Sequence, residues 1–194
     1  VHTGVYGTWG VNKNQMFIVA KDNGFDLVIS SDVSQAQSLG IKVLYPINLT
    51  KEVAQDEAKF KAFANNVATI AKEHKNNNTV FGWYLADEPD WNNIPPARYK
   101  QLNELLKSVD SSKPSLGVFT LPDKWRNYLP YFDIIGIDPY LPNTQTGKET
   151  DKVIDWIDKI SGDLKTMELN KPVWVVLGAF EQPPKNKSNP AFRK

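Results

Sequence analysis

The chain has 194 residues, no cysteine and a formal net charge of +1, with 23 lysines and arginines against 22 aspartates and glutamates. This length predicts one domain over residues 1–194, and the lack of cysteine excludes a disulfide scaffold, a thiolate metal site and a cysteine nucleophile. The balanced charge supplies no long-range field for nucleic acid or an anionic membrane, and no apolar run reaches the length of a membrane span. We therefore expect the substrate or ligand of this chain to carry no net charge.

Strand-like and helix-like segments alternate along the chain. Short apolar runs that end in turn residues predict seven strands, at residues 2–8, 25–30, 41–47, 80–88, 114–120, 133–138 and 172–177. Apolar residues at three- and four-residue steps predict the helices between them, around 16–20, from about 50 to 74, from 95 to 109 and from 153 to 167. This alternation is typical of parallel β-α units.

Seven parallel strands in one chain narrow the fold to a barrel or a doubly wound sheet. The first β-α turn, residues 6–10, reads YGTWG and lacks the glycine-rich fingerprint of a dinucleotide site, and no P-loop occurs. The sequence therefore predicts an α/β fold of the TIM type, a (β/α) barrel with seven strands. An eighth unit of ordinary length needs about 30 further residues, so we expect the barrel to be incomplete at its C-terminal end unless a partner closes it.

The strand that begins at Val80 ends in two adjacent carboxylates, Asp87 and Glu88. Active sites of α/β barrels are built at the carboxyl ends of the strands. If the small residues Gly82 and Ala86 point into the barrel, two-residue alternation turns Glu88 inward as well and turns Asp87 toward the helices. Glu88 is then the better proton donor and Asp87 a hydrogen-bonding support.

Two other strands offer carboxylates at the same end of the barrel. On the sixth strand, alternation places Ile134, Gly136 and Asp138 on one side, so Asp138 is expected to project into the top of the barrel. After the seventh strand comes Glu181, for which a solvated loop carboxylate is the simpler interpretation. For Glu88 the structural alternatives are a helix cap or an ion pair with Arg98.

Carboxylates that converge among aromatic side chains indicate glycosidic bond cleavage, because one must protonate the leaving oxygen while another stabilises or attacks the anomeric carbon. Flat sugar faces pack on aromatic rings, and the sequence holds six tryptophans. Trp83, Trp156 and Trp174 fall at core positions of strands or helices. The candidate substrate-binding residues are therefore the loop tryptophans and nearby side chains Tyr6, Trp9, Asp87, Trp91, Trp125 and Tyr140.

Three stretches carry a family resemblance: GWYLADEP at residues 82–89, DIIGIDPY at 133–140 and KPVWVVL at 171–177. With them the chain resembles the (β/α)8 glycoside hydrolases of the large retaining clan and their poorly characterised relatives. The resemblance implies that Glu88 is the general acid/base, with Asp87 in place of the clan's usual Asn. The clan's nucleophile is a Glu that ends the seventh strand, where this chain reads Leu177-Gly178-Ala179.

The hypothesis is therefore a glycosidase that acts on a carbohydrate, with Glu88 as acid/base and Asp138 or Glu181 as second carboxylate. No cofactor is expected, and the sequence predicts no oligomeric state. One alternative is a catalytically inactive barrel that binds sugar or serves as a scaffold. Another takes Asp87, Glu88 and Asp138 as ligands of a divalent cation; neither His2 nor His74 belongs to a ligand motif.

Overall fold

The computed structural model describes residues 4–5, 13–139 and 149–176. Within them each strand pairs in parallel with the next strand along the chain, so that sheet order equals sequence order. The strands are β1 (Gly4–Val5), β2 (Leu27–Ile29), β3 (Lys42–Pro46), β4 (Val80–Asp87), β5 (Ser115–Phe119), β6 (Ile134–Ile137) and β7 (Val173–Val175). The helices are α1 (Lys13–Asp22), α2 (Val33–Leu39), α3 (Lys51–Gln55), α4 (Glu57–Glu73), α5 (Pro96–Val109) and α6 (Glu149–Thr166).

The sheet separates two apolar layers. On its outer face, strand residues such as Val43, Trp83 and Ile135 pack with helix residues such as Phe60 and Leu102 in one large core. On its inner face, strand side chains pack only with one another and with partly buried neighbours from strand segments; these are Leu27, Leu44, Tyr84, Leu116, Val118 and Ile134. A curled parallel sheet with helices outside and a side-chain-filled interior is the arrangement of a (β/α) barrel.

The predicted α/β barrel architecture is confirmed as a curled, half-barrel parallel sheet. The number of strands in the complete barrel stays a prediction. None of the helices in the described part of the chain is both long and apolar enough to cross a membrane.

Two helical features differ from the sequence prediction. Helix α2 was not predicted; the Asp32 side chain accepts a hydrogen bond from the Gln35 N–H at its start, and Gly40 ends it at φ 69°. The single helix predicted from about 50 to 74 is two helices, α3 and α4. Asp56 leaves the helical conformation between them and its side chain accepts from the Lys59 N–H, so that the residue caps the start of α4.

Strand β4 contains one residue more than its partner β5 over the same length. Tyr84 lies opposite Leu116, but Ala86 lies opposite Gly117, the next residue of β5. Leu85 is therefore the extra residue of a β-bulge. From this point onward, each residue of β4 faces the side opposite to the one that simple alternation assigns.

The bulge corrects the predicted orientation of Asp87, and it removes the two-residue alternation by which Glu88 was predicted to point inward. Leu85 and Ala86 both belong to the core between sheet and helices, so Ala86 does not point into the barrel. Asp87 lies opposite Val118, whose side chain belongs to the inner layer, so Asp87 faces the barrel interior instead of the helices. The expected inward direction of Tyr84 agrees with its place in the inner layer.

Candidate active site

Asp87 ends β4 with an exposed carboxyl group. Its Oδ1 accepts a hydrogen bond of 2.7 Å from the hydroxyl of Tyr84, whose ring is buried in the inner layer. The contact ties the Asp87 carboxyl group to the barrel side of the strand. Asp87 is therefore held where a substrate above the barrel could meet it.

Glu88 follows in a backbone conformation that is rare for a residue with a side chain. Its φ is +46°, in the left-handed region, where a Cβ atom crowds the following carbonyl group. Its N–H donates to the carbonyl oxygen of Val118 at 2.9 Å, so pairing with β5 continues one residue beyond β4. Strain of this kind persists only where surrounding contacts impose it, and it concentrates at functional sites.

Asp138 directly follows β6, and its N–H donates to the carbonyl oxygen of Phe119 at 3.0 Å. Two residues earlier, a Cβ added to Gly136 would meet side chains of the inner layer, at 2.8 Å from Val118 Cγ2. Two-residue alternation then gives Asp138 the same inward side. Its side chain is buried, with 9% of the residue exposed.

Burial and neighbouring negative charge together raise the pKa of Asp138 to about 6. Burial is the largest cause, the charge of Glu88 comes next and that of Asp87 third, while Lys152 opposes them. The charges of Glu88 and Asp87 thus lie close enough to Asp138 to act on its protonation. A cluster of this kind can keep one proton near neutral pH while its other members are ionised.

No role was predicted for Asp90, which lies in the loop after β4. The residue is completely buried, and its carboxylate accepts hydrogen bonds from the backbone N–H groups of Thr120 and Leu121, immediately after β5. Burial raises the pKa of Asp90, partly offset by these backbone hydrogen bonds. Its position in ADEPD, directly after the acidic pair and a proline, was the available signal.

The two loop tryptophans of the described region differ sharply in exposure. Trp91, next to Asp90 in the loop after β4, is 63% exposed. Trp125 is fully buried, its indole N–H donates to Asp163 Oδ2 at 2.7 Å, and its ring contacts Trp156 edge to face. The prediction of Trp125 as a substrate-binding residue is therefore corrected: the residue belongs to the core and has no face left for a sugar.

Four predicted site residues are not described, whereas the contacts of Arg98 are. Tyr6, Trp9, Tyr140 and Glu181 lie outside the described residues and stay predictions. Arg98, the predicted partner of Glu88 in a purely structural role, instead donates to the Ala54 carbonyl oxygen and to Glu57, each at 2.8 Å.

The divalent-cation alternative has no geometric support in the described residues. Across residues 4–5, 13–139 and 149–176, no group of three His, Asp or Glu side chains is arranged to hold a metal ion.

A shallow polar cleft of about 490 Å³ lies at the opposite end of β4, lined by residues 76–79 and by Gln37, Lys72 and Glu73. Glu73 is its one carboxylate, so the cleft lacks the acid pair that glycosidic chemistry requires. The amino ends of barrel strands serve stability more often than catalysis. The carboxylate cluster is therefore the better candidate site of the two.

Comparison with known proteins finds no matching family model and no similar curated sequence. Solved structures do match. A GH2 β-galacturonidase from Eisenbergiella tayi superposes with a TM-score of 0.64 at 16% identity, over 97% of this chain and 37% of that one. A family 39 glycoside hydrolase from Bacteroides cellulosilyticus WH2 superposes with a TM-score of 0.64 at 18% identity, over 89% of this chain and 47% of that one.

A third match is a family 17 β-1,3-glucanosyltransferase from Rhizomucor miehei, with a TM-score of 0.62 at 17% identity, over 90% of this chain and 70% of that one. The chain has the fold of the glycoside hydrolase barrels. The resemblance expected from residues 82–89, 133–140 and 171–177 is thus confirmed for the fold. The chain spans less than half the length of the galacturonidase and the family 39 enzyme.

Proposed function

We propose that this chain is a glycosidase barrel that hydrolyses O-glycosidic bonds, organised as one domain over residues 1–194. The observation that carries the proposal is the convergence of Asp87, Glu88 and Asp138 at the carboxyl ends of β4 and β6, where the charges of Glu88 and Asp87 help to raise the pKa of Asp138. Fold alone does not determine function, so the proposal rests on this cluster together with the barrel.

In the proposed reaction Glu88 acts as the general acid/base and Asp138 as the second carboxylate. When the proton of the cluster lies on Glu88 and Asp138 is ionised, Glu88 gives that proton to the leaving oxygen as the glycosidic bond breaks, while Asp138 stabilises or attacks the anomeric carbon. Water then supplies a hydroxyl group to that carbon and a proton to Glu88, so the enzyme is unchanged after one turnover. Glu181 is the other candidate for the second carboxylate.

The protonation of Asp138 sets the expected pH dependence. A carboxyl group with a pKa of about 6 is mostly ionised at pH 7 and mostly protonated at pH 5. Because the proposed second carboxylate must be ionised, turnover should decline below pH 6. Activity that instead increases as the pH falls from 7 to 5 would indicate that Asp138 is the acid.

Substrate contacts in the described region are assigned to Trp91 and Asp87. Trp91 is mostly exposed in the loop after β4, three residues beyond Glu88, and an aromatic face suits the C–H face of a sugar. Asp87 is exposed at the mouth of the barrel and can accept hydrogen bonds from sugar hydroxyl groups. The near-neutral chain, with a net charge of +1, is compatible with a neutral carbohydrate.

The test is a reducing-end release assay on a broad panel of oligo- and polysaccharides. The chain is compared with its Glu88→Gln and Asp138→Asn variants and with a longer chain that carries an eighth β-α unit. Glu104→Gln is the matched control, because Glu104 is an exposed glutamate on α5, outside the carboxylate cluster. Release that disappears in both site variants and persists in the control supports the proposal. Oligosaccharide binding without release from either unmutated chain supports the sugar-binding alternative instead.

A further inference from the structure

Asp90 connects the loop after β4 to the loop after β5. Its Oδ2 accepts hydrogen bonds from the N–H of Leu121 at 2.6 Å and of Thr120 at 3.1 Å. Both donors follow the last residue of β5, where pairing between the two strands has already ended. Backbone pairing between the two segments ends with the hydrogen bond from the Glu88 N–H to the Val118 carbonyl oxygen. Beyond that point the Asp90 carboxylate joins them through its side chain.

A buried charge requires compensation, and here the compensation comes from backbone N–H groups. Asp90 has no exposed surface, and among the described residues no lysine or arginine forms an ion pair with it. An ionised carboxylate can accept several N–H groups and has no hydrogen to place against them. Asparagine at this position keeps one acceptor oxygen for these N–H groups, but it removes the charge and places an NH2 group at Oδ1, 3.4 Å from the Thr120 nitrogen.

The opposite side of the same loop is held by Tyr128. Its buried hydroxyl lies 3.2 Å from the Pro89 carbonyl oxygen and 2.9 Å from that of Ile94, and its single proton is shared between them. Inside the loop, the Asn92 N–H and side-chain amide donate to the Glu88 carbonyl oxygen at 3.0 and 3.1 Å. The loop is therefore fixed from two neighbouring elements as well as within itself.

The strained residue lies at the point where these restraints meet. Glu88 adopts φ +46°, and such a conformation relaxes when the surrounding contacts are weakened. Asp90 is two residues away and fixes the loop against β5. We propose that Asp90 is a positioning residue that holds the Glu88 backbone in its left-handed conformation and so keeps the Glu88 carboxyl group beside Asp138.

The kinetic effect expected from this inference depends on the proposed function, whereas the expected structural effect does not. The structural test is a carboxyl titration of Asp138 by NMR in the unmutated chain and in Asp90→Asn. Glu88, Asp87 and Lys152 are the charged groups that act on Asp138, and Asp90 is not among them. Because Asp90→Asn also removes a negative charge, a change in the Asp138 titration is assigned to movement of the loop only where Tyr128→Phe, which removes no charge, reproduces it.

We expect the pKa of Asp138 in Asp90→Asn to fall by about half a unit or more, because the Glu88 charge moves away. Tyr128→Phe releases the loop from its other side, and we expect a shift in the same direction. This second variant keeps the test decisive if Asp90→Asn does not fold. An unchanged Asp138 titration in the folded variants overturns the inference, whatever the activity.

Asp133→Asn is the matched control. Asp133 Oδ2 accepts hydrogen bonds from the N–H and hydroxyl of Ser115 at 2.7 and 2.9 Å, so it fixes the opposite end of β5 through a carboxylate as well, there with Lys107 as an ion-pair partner. Asp133→Asn should lower stability and leave the Asp138 titration unchanged. If it shifts the titration as much as Asp90→Asn does, the effect is general loosening and the inference fails.

Kinetics supply the second readout if the unmutated chain hydrolyses glycosides. General acid assistance matters for alkyl leaving groups and little for nitrophenolate, which departs without a proton. We expect Asp90→Asn to lose about tenfold or more in kcat/KM on alkyl glycosides and less than about twofold on nitrophenyl glycosides. Equal loss on both classes overturns the positioning role. A chain without any hydrolytic activity refutes the proposed function, and the titration then decides the role of Asp90 alone.

Discussion

The Tyr84 hydroxyl donates a 2.7 Å hydrogen bond to Asp87, three residues further along the same strand. In a regular strand, residues three apart point to opposite faces and cannot form this contact. The extra residue Leu85 reverses the side on which Asp87 lies and makes the contact possible. The β-bulge therefore brings the Asp87 carboxylate to the inner side of the barrel, the side that Asp138 also faces.

Replacing Tyr84 with phenylalanine should test the Tyr84–Asp87 contact directly. The change removes one hydroxyl group and keeps the ring in the inner layer, so we expect the free energy of unfolding to fall by about 1 kcal/mol. Urea denaturation of Tyr84→Phe and of the double variant Tyr84→Phe/Asp87→Ala measures the coupling between the residues. Additive losses in the double variant would contradict a direct interaction.

Gly82 should not tolerate a side chain, because a Cβ atom there would lie 2.3 Å from the backbone oxygen of Pro114. We expect Gly82→Ala to lower the free energy of unfolding by about 2 kcal/mol or more, since β4 and the start of β5 must separate. Gly162→Ala is the control: this helical position in α6 has open space around it, and alanine should stabilise the chain by up to about 1 kcal/mol. Equal effects in urea titrations would refute the prediction.

Asp138 should make the chain less stable as its carboxyl group ionises. Its pKa in the folded chain is about 6, above the ordinary value of 3.8, so its contribution to stability is complete below pH 3.8 and is lost as the pH rises through 6. We therefore expect Asp138→Asn to raise the free energy of unfolding at pH 7.5 by about 1–3 kcal/mol. The gain should shrink toward zero near pH 4.

The measurement for Asp138 is thermal or urea unfolding across pH 4–8, with the exposed Asp123→Asn variant as control. Asp123→Asn should show the same pH dependence as the unmutated chain. A gain for Asp138→Asn that is constant across this range would mean that the carboxyl group titrates normally.

Substitution of Trp91 should affect substrate binding, whereas substitution of Trp125 should affect stability. Trp91 is 63% exposed, so Trp91→Ala should leave the free energy of unfolding within about 0.5 kcal/mol and weaken oligosaccharide binding about tenfold. Trp125→Phe leaves the buried Asp163 without one hydrogen-bond donor and should cost about 1–3 kcal/mol of stability. Calorimetric titration of both variants with one bound oligosaccharide gives the comparison.

A Trp125→Phe variant that loses affinity while folding normally would indicate that Trp125 takes part in oligosaccharide binding. Unchanged affinity in Trp91→Ala would remove Trp91 from it.

The sequence predicts the parallel β-α arrangement well because its apolar runs and turn residues are local signals. The Leu85 bulge was missed, since it depends on how β4 aligns with β5, a pairing that no single segment encodes. The same limit explains the wrong prediction for Trp125. A tryptophan in a loop is expected to be exposed, and only the fold shows that Asp163, on a helix distant in sequence, accepts a hydrogen bond from its N–H. Asp90 was missed because its partners are backbone N–H groups that have no sequence signature.

The order of the sheet has a consequence for how the chain folds. Every described pairing joins a strand to the next one in the sequence, so each step requires closure of only one β-α-β crossover. New strands can thus be added one at a time to an edge that is already formed, starting at any neighbouring pair. The free-energy barrier to folding is then set by the first crossover that closes, and the carboxylates of β4 and β6 meet only after the intervening β5 has been added.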